Sequence, residues 1–424
     1  MLYQLECGYQ NYDWGKLGDT SLVAQFAKSV GSATIDESAP YAELWMGTHP
    51  KVPSHTVGAG SDNKHTHESL RQVLADAPQE LGDKVAAEFG AGELPFLFKV
   101  LSIRKALSIQ AHPDKSLAKI LFKRDPKNYP DDNHKPEMAI ALTDFEGFCG
   151  FRPLAEIAGF LQTVPEFGAL VGEEPKKTFE AKWQTDPKGA LKALFGAVME
   201  ASDAQIGTLA PQLAARAASE GAKFGGGESA GAGKPLADLL VRVNDQFPKD
   251  VGLFCGGLML NYVTLAKGEA MFLRAKDVHA YISGDIIECM AASDNVVRSG
   301  FTPKFKDVPT LVDMLTYDSG SVTDQKMVPK SFPEVKGGKQ QLFNPPIDEF
   351  AVLQQTTPAG TEANVSELAS ASIFIVTEGS GSIAVNGNEL PYKAGFVFFA
   401  GAGTPFAIKA DAQTVTYHAL TELP

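Results

Sequence analysis

The stretch Leu107-Ser-Ile-Gln-Ala-His-Pro-Asp-Lys115 alternates apolar and polar residues from Leu107 to His112. An alternation with a period of two is typical of a β-strand that is buried on one face only. The polar face would carry the hydroxyl of Ser108, the amide of Gln110 and the imidazole of His112. Because alternate side chains point to the same side of a strand, the pattern predicts that these three groups enter one shared space.

Two further segments show the same parity. In His134-Lys-Pro-Glu-Met-Ala-Ile-Ala-Leu142, Lys135 and Glu137 share one face and the apolar residues share the other. Further along, His279 and Tyr281 also fall on one face. Two histidines and one carboxylate are a common ligand set for a catalytic Zn²⁺, with a position left open for water or substrate. Hydrogen-bonded structural histidines would give the same spacing, so the residues alone leave both interpretations open.

Seven short sequence motifs, some of which contain these polar residues, are spread over nearly the whole chain. They are Gly8-Tyr-Gln-Asn-Tyr-Asp-Trp-Gly-Lys16, Tyr41-Ala-Glu-Leu-Trp-Met-Gly-Thr-His-Pro50, Leu94-Pro-Phe-Leu-Phe-Lys-Val-Leu-Ser102, Gln110-Ala-His-Pro-Asp-Lys115, Asn133-His-Lys-Pro-Glu137, Phe148-Cys-Gly-Phe-Arg-Pro153 and Asp294-Asn-Val-Val-Arg-Ser-Gly-Phe-Thr-Pro-Lys304. In content and in order, this series resembles the type I phosphomannose isomerases in their eukaryotic-like form.

The resemblance implies a cupin-type fold and an aldose–ketose isomerase that interconverts mannose 6-phosphate and fructose 6-phosphate, upstream of nucleotide-sugar synthesis and glycosylation. It also implies one Zn²⁺ per chain, held by Gln110, His112, Glu137 and His279. Arg298 would be the active-site arginine. All five positions carry the residue types of the family pattern.

The catalytic base is expected to be a carboxylate or a lysine close to these ligands. We predict Glu288, on a strand that follows a turn at Ser283-Gly284-Asp285 and runs antiparallel to the strand of His279. Burial near a barrel mouth would raise the pKa of Glu288 towards the working pH. Lys135 is the alternative base, or a phosphate-binding group, and Glu288 could equally serve only as the partner of a cation.

The substrate of such an enzyme is an anion, although the chain itself has a formal net charge of −13. That charge argues against a nucleic-acid partner, whereas a locally basic cleft can still bind a sugar phosphate. We predict substrate contacts from Lys99, Ser108, Tyr281 and Lys304. Arg298 stays protonated and is a poor base, so we expect it to hold the phosphate or the developing oxyanion.

The hydropathy pattern predicts a mainly β chain with a helical insertion, and with the resemblance it implies two cupin-type jelly-roll barrels plus an α-helical domain. The catalytic barrel is expected to combine residues 1–152 with 264–335. Residues 153–263 would form the helical insertion, and 336–424 the C-terminal barrel. Within the insertion, the Gly- and Ala-rich stretch Gly221–Gly233 is expected to be a flexible surface loop.

The C-terminal unit keeps the cupin spacing but loses the ligand. From Gly395 onward it follows the pattern in which a glycine leads to the ligand histidine, and Phe406 stands in the place of that histidine. A phenyl ring cannot bind a metal ion, so we predict a structural, metal-free barrel. His418 alone would not restore a site.

The remaining features suggest a cytoplasmic enzyme that works as a monomer. The four cysteines show no CxxC spacing, and Met1-Leu-Tyr-Gln-Leu-Glu6 has neither the charge nor the apolar run of a signal peptide. No membrane partner is expected.

Two other functions compete: a non-catalytic cupin that binds sugar or metal, and an Fe²⁺ cupin dioxygenase, which Gln110 fits poorly.

Overall fold

The computed structural model describes residues 1–60, 66–332, 335–365 and 368–423. The strands are β1 (Leu2–Glu6), β2 (Tyr9–Gln10), β3 (Lys16–Leu17), β4 (Pro40–Tyr41), β5 (Glu43–Met46), β6 (His55–Gly60), β7 (Phe96–Ile103), β8 (Ile109–Ala111), β9 (Glu137–Ala141), β10 (Phe145–Phe151), β11 (Leu260–Leu265), β12 (Ala270–Leu273), β13 (His279–Ala291), β14 (Val297–Gly300), β15 (Lys326–Met327), β16 (Lys330–Ser331), β17 (Lys339–Phe343), β18 (Ala351–Thr357), β19 (Thr361–Asn364), β20 (Ser372–Glu378), β21 (Ser380–Val385), β22 (Asn388–Lys393), β23 (Val397–Ala400), β24 (Ala407–Ala410) and β25 (Thr414–Leu420).

The α-helices are α1 (Leu22–Ser29), α2 (Leu70–Asp76), α3 (Asp83–Phe89), α4 (Lys115–Arg124), α5 (Leu154–Thr163), α6 (Pro165–Val171), α7 (Glu173–Lys182), α8 (Pro187–Met199), α9 (Asp203–Glu220), α10 (Lys234–Gln246), α11 (Gly252–Cys255), α12 (Val308–Met314) and α13 (Val322–Gln325). Short 3₁₀ helices cover Gly18–Thr20, Pro78–Leu81, Gly221–Gly226 and Glu228–Ala230. The predicted combination of β-sheets with a helical insertion is confirmed.

The first barrel is built around β13, which pairs with β7, β8, β9 and β10. The turn predicted at Ser283–Asp285 is wrong, because β13 runs unbroken for 13 residues. Gly284 has a φ of 115°, and a Cβ added there would lie 2.6 Å from the carbonyl oxygen of Asp144. This glycine therefore lets the strand bend and change partners, from β10 before the bend to β7 and β9 after it.

The strand predicted from the alternating stretch after Leu107 is shorter in the structure than the alternation suggests. Strand β8 covers only Ile109–Ala111. Pro113 then removes a backbone donor, and the side chain of Asp114 accepts a hydrogen bond from the backbone of Leu117 as the N-cap of α4. The helix therefore starts three residues after His112.

On strands β7, β9 and β13, apolar side chains point to one face of the sheet and the charged side chains point to the other. On β9, Met138 and Ile140 pack into the core between the two barrels, as the sequence predicts. Glu137 and Ala139 lie on the opposite face, towards the lumen of the first barrel. The same alternation turns Phe98 on β7 to the core between the barrels.

The C-terminal strands form an eight-stranded sheet, in the order β16-β17-β18-β25-β20-β23-β1-β6, and a four-stranded sheet, in the order β19-β24-β21-β22. Strand β1 pairs with β23, with Leu2 opposite Ala400 and Leu5 opposite Val397. The first strand of the chain thus lies in the sheet of the last strands and crosses the boundary expected after residue 335. The proposed domain limits stay a prediction.

Aromatic rings fill the lumen of the second barrel. The ring of Phe374 lies 5.1 Å from that of Phe406 and 4.6 Å from the imidazole of His418, and all three are stacked. His418 is fully buried, and its Nε2 lies 2.8 Å from the hydroxyl of Thr416. Phe406 therefore packs where the cupin spacing would put a ligand.

Helices α5 to α11 form the insertion and share one apolar core with the outer face of the first barrel. The stretch Gly221–Gly233 is not the surface loop that its composition predicts. Phe224 is fully buried in that core, and the carbonyl of Gly231 accepts a hydrogen bond from the buried guanidinium of Arg152. Among the described residues no single helix is long and apolar enough to cross a membrane, and α5 with α6 is a sharply bent pair that meets those criteria together.

Phe224 anchors this glycine-rich stretch, so its removal should be costly. Phe224→Ala should lower the free energy of unfolding by about 3–5 kcal/mol, as expected for a buried phenyl group. The exposed neighbour gives the matched control: Lys223→Ala should change it by less than about 0.5 kcal/mol. Urea denaturation followed by circular dichroism would measure both, and equal effects would return the stretch to the status of a surface loop.

Candidate active site

Three ligand-type side chains meet in the lumen of the first barrel. His112 follows β8, whereas Glu137 and His279 are the first residues of β9 and β13. Their ligand atoms all lie within 4.8 Å of one another, and all three side chains are buried. Nε2 of His112 lies 3.4 Å from Oε1 of Glu137, and Nε2 of His279 lies 3.2 Å from Oε2. The predicted carboxylate and two histidines are thus brought together.

Backbone carbonyls fix the orientation of both imidazoles. Nδ1 of His112 donates to the carbonyl of Asn295 at 2.7 Å, and Nδ1 of His279 donates to the carbonyl of Asp277 at 3.0 Å. In a neutral imidazole whose Nδ1 carries the proton, Nε2 has a free lone pair, which here points into the cluster and can bind a metal ion. Nε2 of His279 has no hydrogen-bond partner among the described residues, despite its closeness to Glu137.

The electrostatics of the cluster suit a bound cation. Burial lowers the pKa of His112 to about 4, against the opposing effect of Glu137, so this imidazole is neutral near pH 7. Burial alone would raise the pKa of Glu137, but the ammonium of Lys135 holds it well below its ordinary value. The unprotonated nitrogen of His112, the partnerless Nε2 of His279 and the carboxylate of Glu137 therefore face a common point. The residues fit a single divalent metal ion.

Gln110 stands beside the cluster and links it to an outer cleft. In the sheet, Gln110 on β8 lies opposite His279 of β13 on one side and opposite Arg298 of β14 on the other. Its Nε2 lies 3.5 Å from Nε2 of His112, while its Oε1 accepts a hydrogen bond of 3.0 Å from Ser108. To serve as an oxygen ligand, the amide would have to turn and release Ser108.

A second group of charges lies next to the cluster in the same lumen. Nζ of Lys99 lies 3.4 Å from a carboxylate oxygen of Glu43 and 3.5 Å from one of Glu288, and all three side chains are buried. Nζ of Lys135 lies 2.8 Å from Oε1 of Glu137. The hydroxyl of Tyr281 lies 3.5 Å from the other oxygen of Glu137. Lys99, Lys135, Tyr281 and Glu288 therefore surround the predicted ligands.

The surroundings raise the pKa of both Glu288 and Lys99 in this second group. Burial raises the pKa of Glu288, and the nearby charge of Glu137 acts in the same direction while Lys99 opposes it. Burial would lower the pKa of Lys99, but the carboxylates of Glu43 and Glu288 hold it above its ordinary value. A carboxyl group with a raised pKa beside a permanently charged ammonium is a suitable arrangement for proton transfer.

The remaining predicted residues line a cleft of about 410 Å³ that opens outward from Gln110. Ser108, Arg298 and Lys304 all border it, together with Trp14 and Lys105. The guanidinium of Arg298 forms no ion pair within the described part of the chain. Burial lowers its pKa, yet the group stays cationic near neutral pH. The cleft thus places a cation without an ion pair beside Gln110.

Sequence reasoning missed the residues that support the ligands from outside. Asn295 donates from its side-chain amide to the carbonyl oxygens of Asp131 and Asn133, at 2.8 and 2.9 Å, and its own carbonyl holds His112. Glu349 lies 2.6 Å from Nε2 of His134. Asn295 falls inside a matched block, which gave a signal, whereas nothing near Glu349 in the sequence points to a contact 215 residues away.

Family models match three consecutive parts of the chain. "Phosphomannose isomerase type I, catalytic domain" matches residues 2–154, the "helical insertion domain" of the same type matches 170–260, and "Phosphomannose isomerase type I C-terminal" matches 341–388. Their order is that of the first barrel, the helical insertion and the second barrel.

Curated relatives and solved structures agree with these matches. Mannose-6-phosphate isomerase of Saccharomyces cerevisiae is 51% identical over 438 residues, covering 99% of each chain, and that of Schizosaccharomyces pombe is 46% identical, covering 100% of each. A crystal structure of mannose 6-phosphate isomerase from Salmonella typhimurium, bound to fructose 6-phosphate and zinc, superposes with a TM-score of 0.81 at 30% identity over all of both chains. The chain therefore belongs to the type I phosphomannose isomerases and is an enzyme of that family.

Proposed function

We propose that this enzyme interconverts D-mannose 6-phosphate and D-fructose 6-phosphate with one Zn²⁺, by proton transfer through a cis-enediolate. The observation that carries the proposal is the buried cluster in which the Nε2 atoms of His112 and His279 face Glu137. Gln110 would complete the ligand set by turning its amide. When bound, Zn²⁺ polarises a substrate oxygen and stabilises negative charge without redox chemistry. The zinc of the Salmonella enzyme supports this choice of metal.

Glu288 is proposed as the group that moves the proton between C1 and C2. Its carboxyl group is buried, its pKa is raised, and it lies beside the ion-paired Lys99. Lys99 would keep its charge and orient this carboxylate, and would also contact the substrate. Lys135 is the alternative base, although its ion pair with Glu137 favours a charged ammonium that binds substrate oxygen. Tyr281 would contact the sugar from the lumen wall.

Arg298, Ser108 and Lys304 are proposed to bind the anionic parts of the substrate from the cleft. A guanidinium that lacks an internal partner is free to form two parallel hydrogen bonds with a phosphate or an oxyanion. Ser108 could donate to the substrate once Gln110 releases it. The exposed Lys304 would add charge at the entrance.

We further propose that the enzyme acts in the cytoplasm as a monomer and supplies mannose for GDP-mannose synthesis and protein glycosylation. All four cysteines are free and buried, which suits a reducing compartment. Its other partners would be small molecules only, without nucleic acid or membrane.

Removal of any one ligand should remove the metal. His279→Ala and Glu137→Ala should each lower zinc content from about one per chain to near zero, since each removes one of the three buried groups that already face one another, and the amide of Gln110 is a weak substitute. His55→Ala, at an exposed histidine on β6, should keep full zinc content and activity. Elemental analysis together with a coupled assay would test this. Activity in exhaustively chelated wild-type protein would disprove the zinc requirement.

Replacement of the cleft arginine should separate anion binding from folding. Arg298→Lys should fold and hold zinc normally but lose about 2–4 kcal/mol of transition-state stabilisation, because an ammonium cannot reproduce the fork of donors. Steady-state kinetics would locate the contact: a loss in kcat indicates the enediolate, and a rise in KM indicates the phosphate. Unchanged kinetics would remove Arg298 from the site.

The base can be tested apart from binding. Glu288→Gln should bind zinc and substrate but slow the exchange of the C2 hydrogen of the substrate with solvent by about 10²–10⁴-fold, since an amide does not accept that proton. Exchange would be followed by NMR in D₂O. Exchange at the wild-type rate would transfer the role to Lys135, and Lys135→Met should then be inactive in the same assay.

A further inference from the structure

A carboxylate of the second barrel reaches across to the metal-ligand segments of the first. Glu349 precedes β18, and its side chain is almost fully buried. A single oxygen, Oε1, lies 2.6 Å from Nε2 of His134 and 2.7 Å from Nζ of Lys115. The other, Oε2, is buried and has no hydrogen-bond partner among the described residues. The carbonyl of Glu349 accepts from the hydroxyl of Thr421, which ties it to the end of β25.

The two partners of this oxygen lie next to the metal ligands along the chain. Lys115 is the first residue of α4, three residues after His112. His134 is three residues before Glu137 and directly precedes Lys135. One oxygen atom therefore joins the segment that carries the first histidine ligand to the segment that carries the carboxylate ligand.

A contribution to global stability is a poor explanation for this contact. Lys115 is 55% exposed, and ion pairs with an exposed partner contribute little. A buried carboxylate also loses much of its hydration, and an apolar side chain often replaces such a group without loss of stability. Burial would raise the pKa of Glu349, but hydrogen bonds from His134 and Lys115 lower it to about 2, so the group is an anion at neutral pH. What the contact fixes is geometry.

We infer that Glu349 is a positioning residue for the metal site, acting through His134 and Lys115 to hold the segments of Glu137 and His112 at the separation a metal ion requires. This inference rests on the proposed zinc site and deepens it. Groups that orient metal ligands from outside commonly change metal affinity by about 10–100-fold when they are removed.

The test measures the zinc dissociation constant of the full-length chain by competition with a chromophoric chelator. Glu349→Gln keeps the shape of the side chain and removes its charge, and it should weaken zinc binding by about 10–100-fold. Asp348→Asn is the matched control, because it removes the same charge from the exposed neighbouring residue and should leave the constant unchanged. Lys115→Gln should weaken binding in the same direction, and the double variant should be no worse than Glu349→Gln alone.

A purely structural role would give a different result. Glu349→Gln would then lower the unfolding temperature of the zinc-free protein, while the folded protein would bind zinc with wild-type affinity, and that outcome overturns the inference. If Glu349→Gln does not fold, Lys115→Gln decides, and wild-type zinc affinity in that variant rejects the proposal. Failure of the wild-type chain to bind zinc would instead reject the proposed zinc site itself.

Discussion

The pleat of β7, β9 and β13 is the constraint on which the rest of the active site depends. Each strand buries apolar side chains between the two barrels and turns charged ones into the lumen of the first. A slip of one residue would exchange Lys99 with Phe98, or Glu137 with Met138, and would place a charge in the core between the barrels. Because that exchange would cost several kcal/mol, the apolar face fixes the register that brings the charges together.

The charged residues in the lumen are largely buried, and each one has a partner of opposite charge. Lys99 lies between Glu43 and Glu288, and Lys135 pairs with Glu137, so each buried ammonium group has a carboxylate nearby. Such pairs stabilise the fold weakly, since desolvation offsets most of their attraction. Their effect falls on protonation instead: the pKa of Glu137 is lowered while that of Glu288 is raised. Two carboxyl groups in one barrel thereby differ in protonation, which suits the roles proposed for them in metal binding and proton transfer.

Much of this site could be predicted because its information is local. A period of two and seven ordered blocks were sufficient to place His112, Glu137 and His279 together. The errors arose where composition hid a tertiary contact. Ser283-Gly284-Asp285 has the composition of a turn, but the glycine bends a continuous strand. Gly221–Gly233 has the composition of a loop, but it forms short helical turns that the buried ring of Phe224 and the guanidinium of Arg152 hold against the core. The pairing of β1 with β23 and the contact of Glu349 join distant parts of the chain, and no local pattern encodes either.

The two barrels solve one packing problem in opposite ways. In the second barrel, Phe374, Phe406 and His418 fill the lumen with stacked rings, which favours a rigid core that needs no ion. In the first, the equivalent space holds the imidazoles of His112 and His279 and the carboxylate of Glu137, which suit a bound cation rather than an apolar packing. Contacts from outside the lumen reach these polar side chains. Backbone carbonyls orient the imidazoles, and Glu349 of the second barrel contacts Lys115 and His134, each three residues from a ligand of the cluster. The two lumens therefore differ in what orders them: stacked rings in the second barrel, and polar contacts from neighbouring segments in the first.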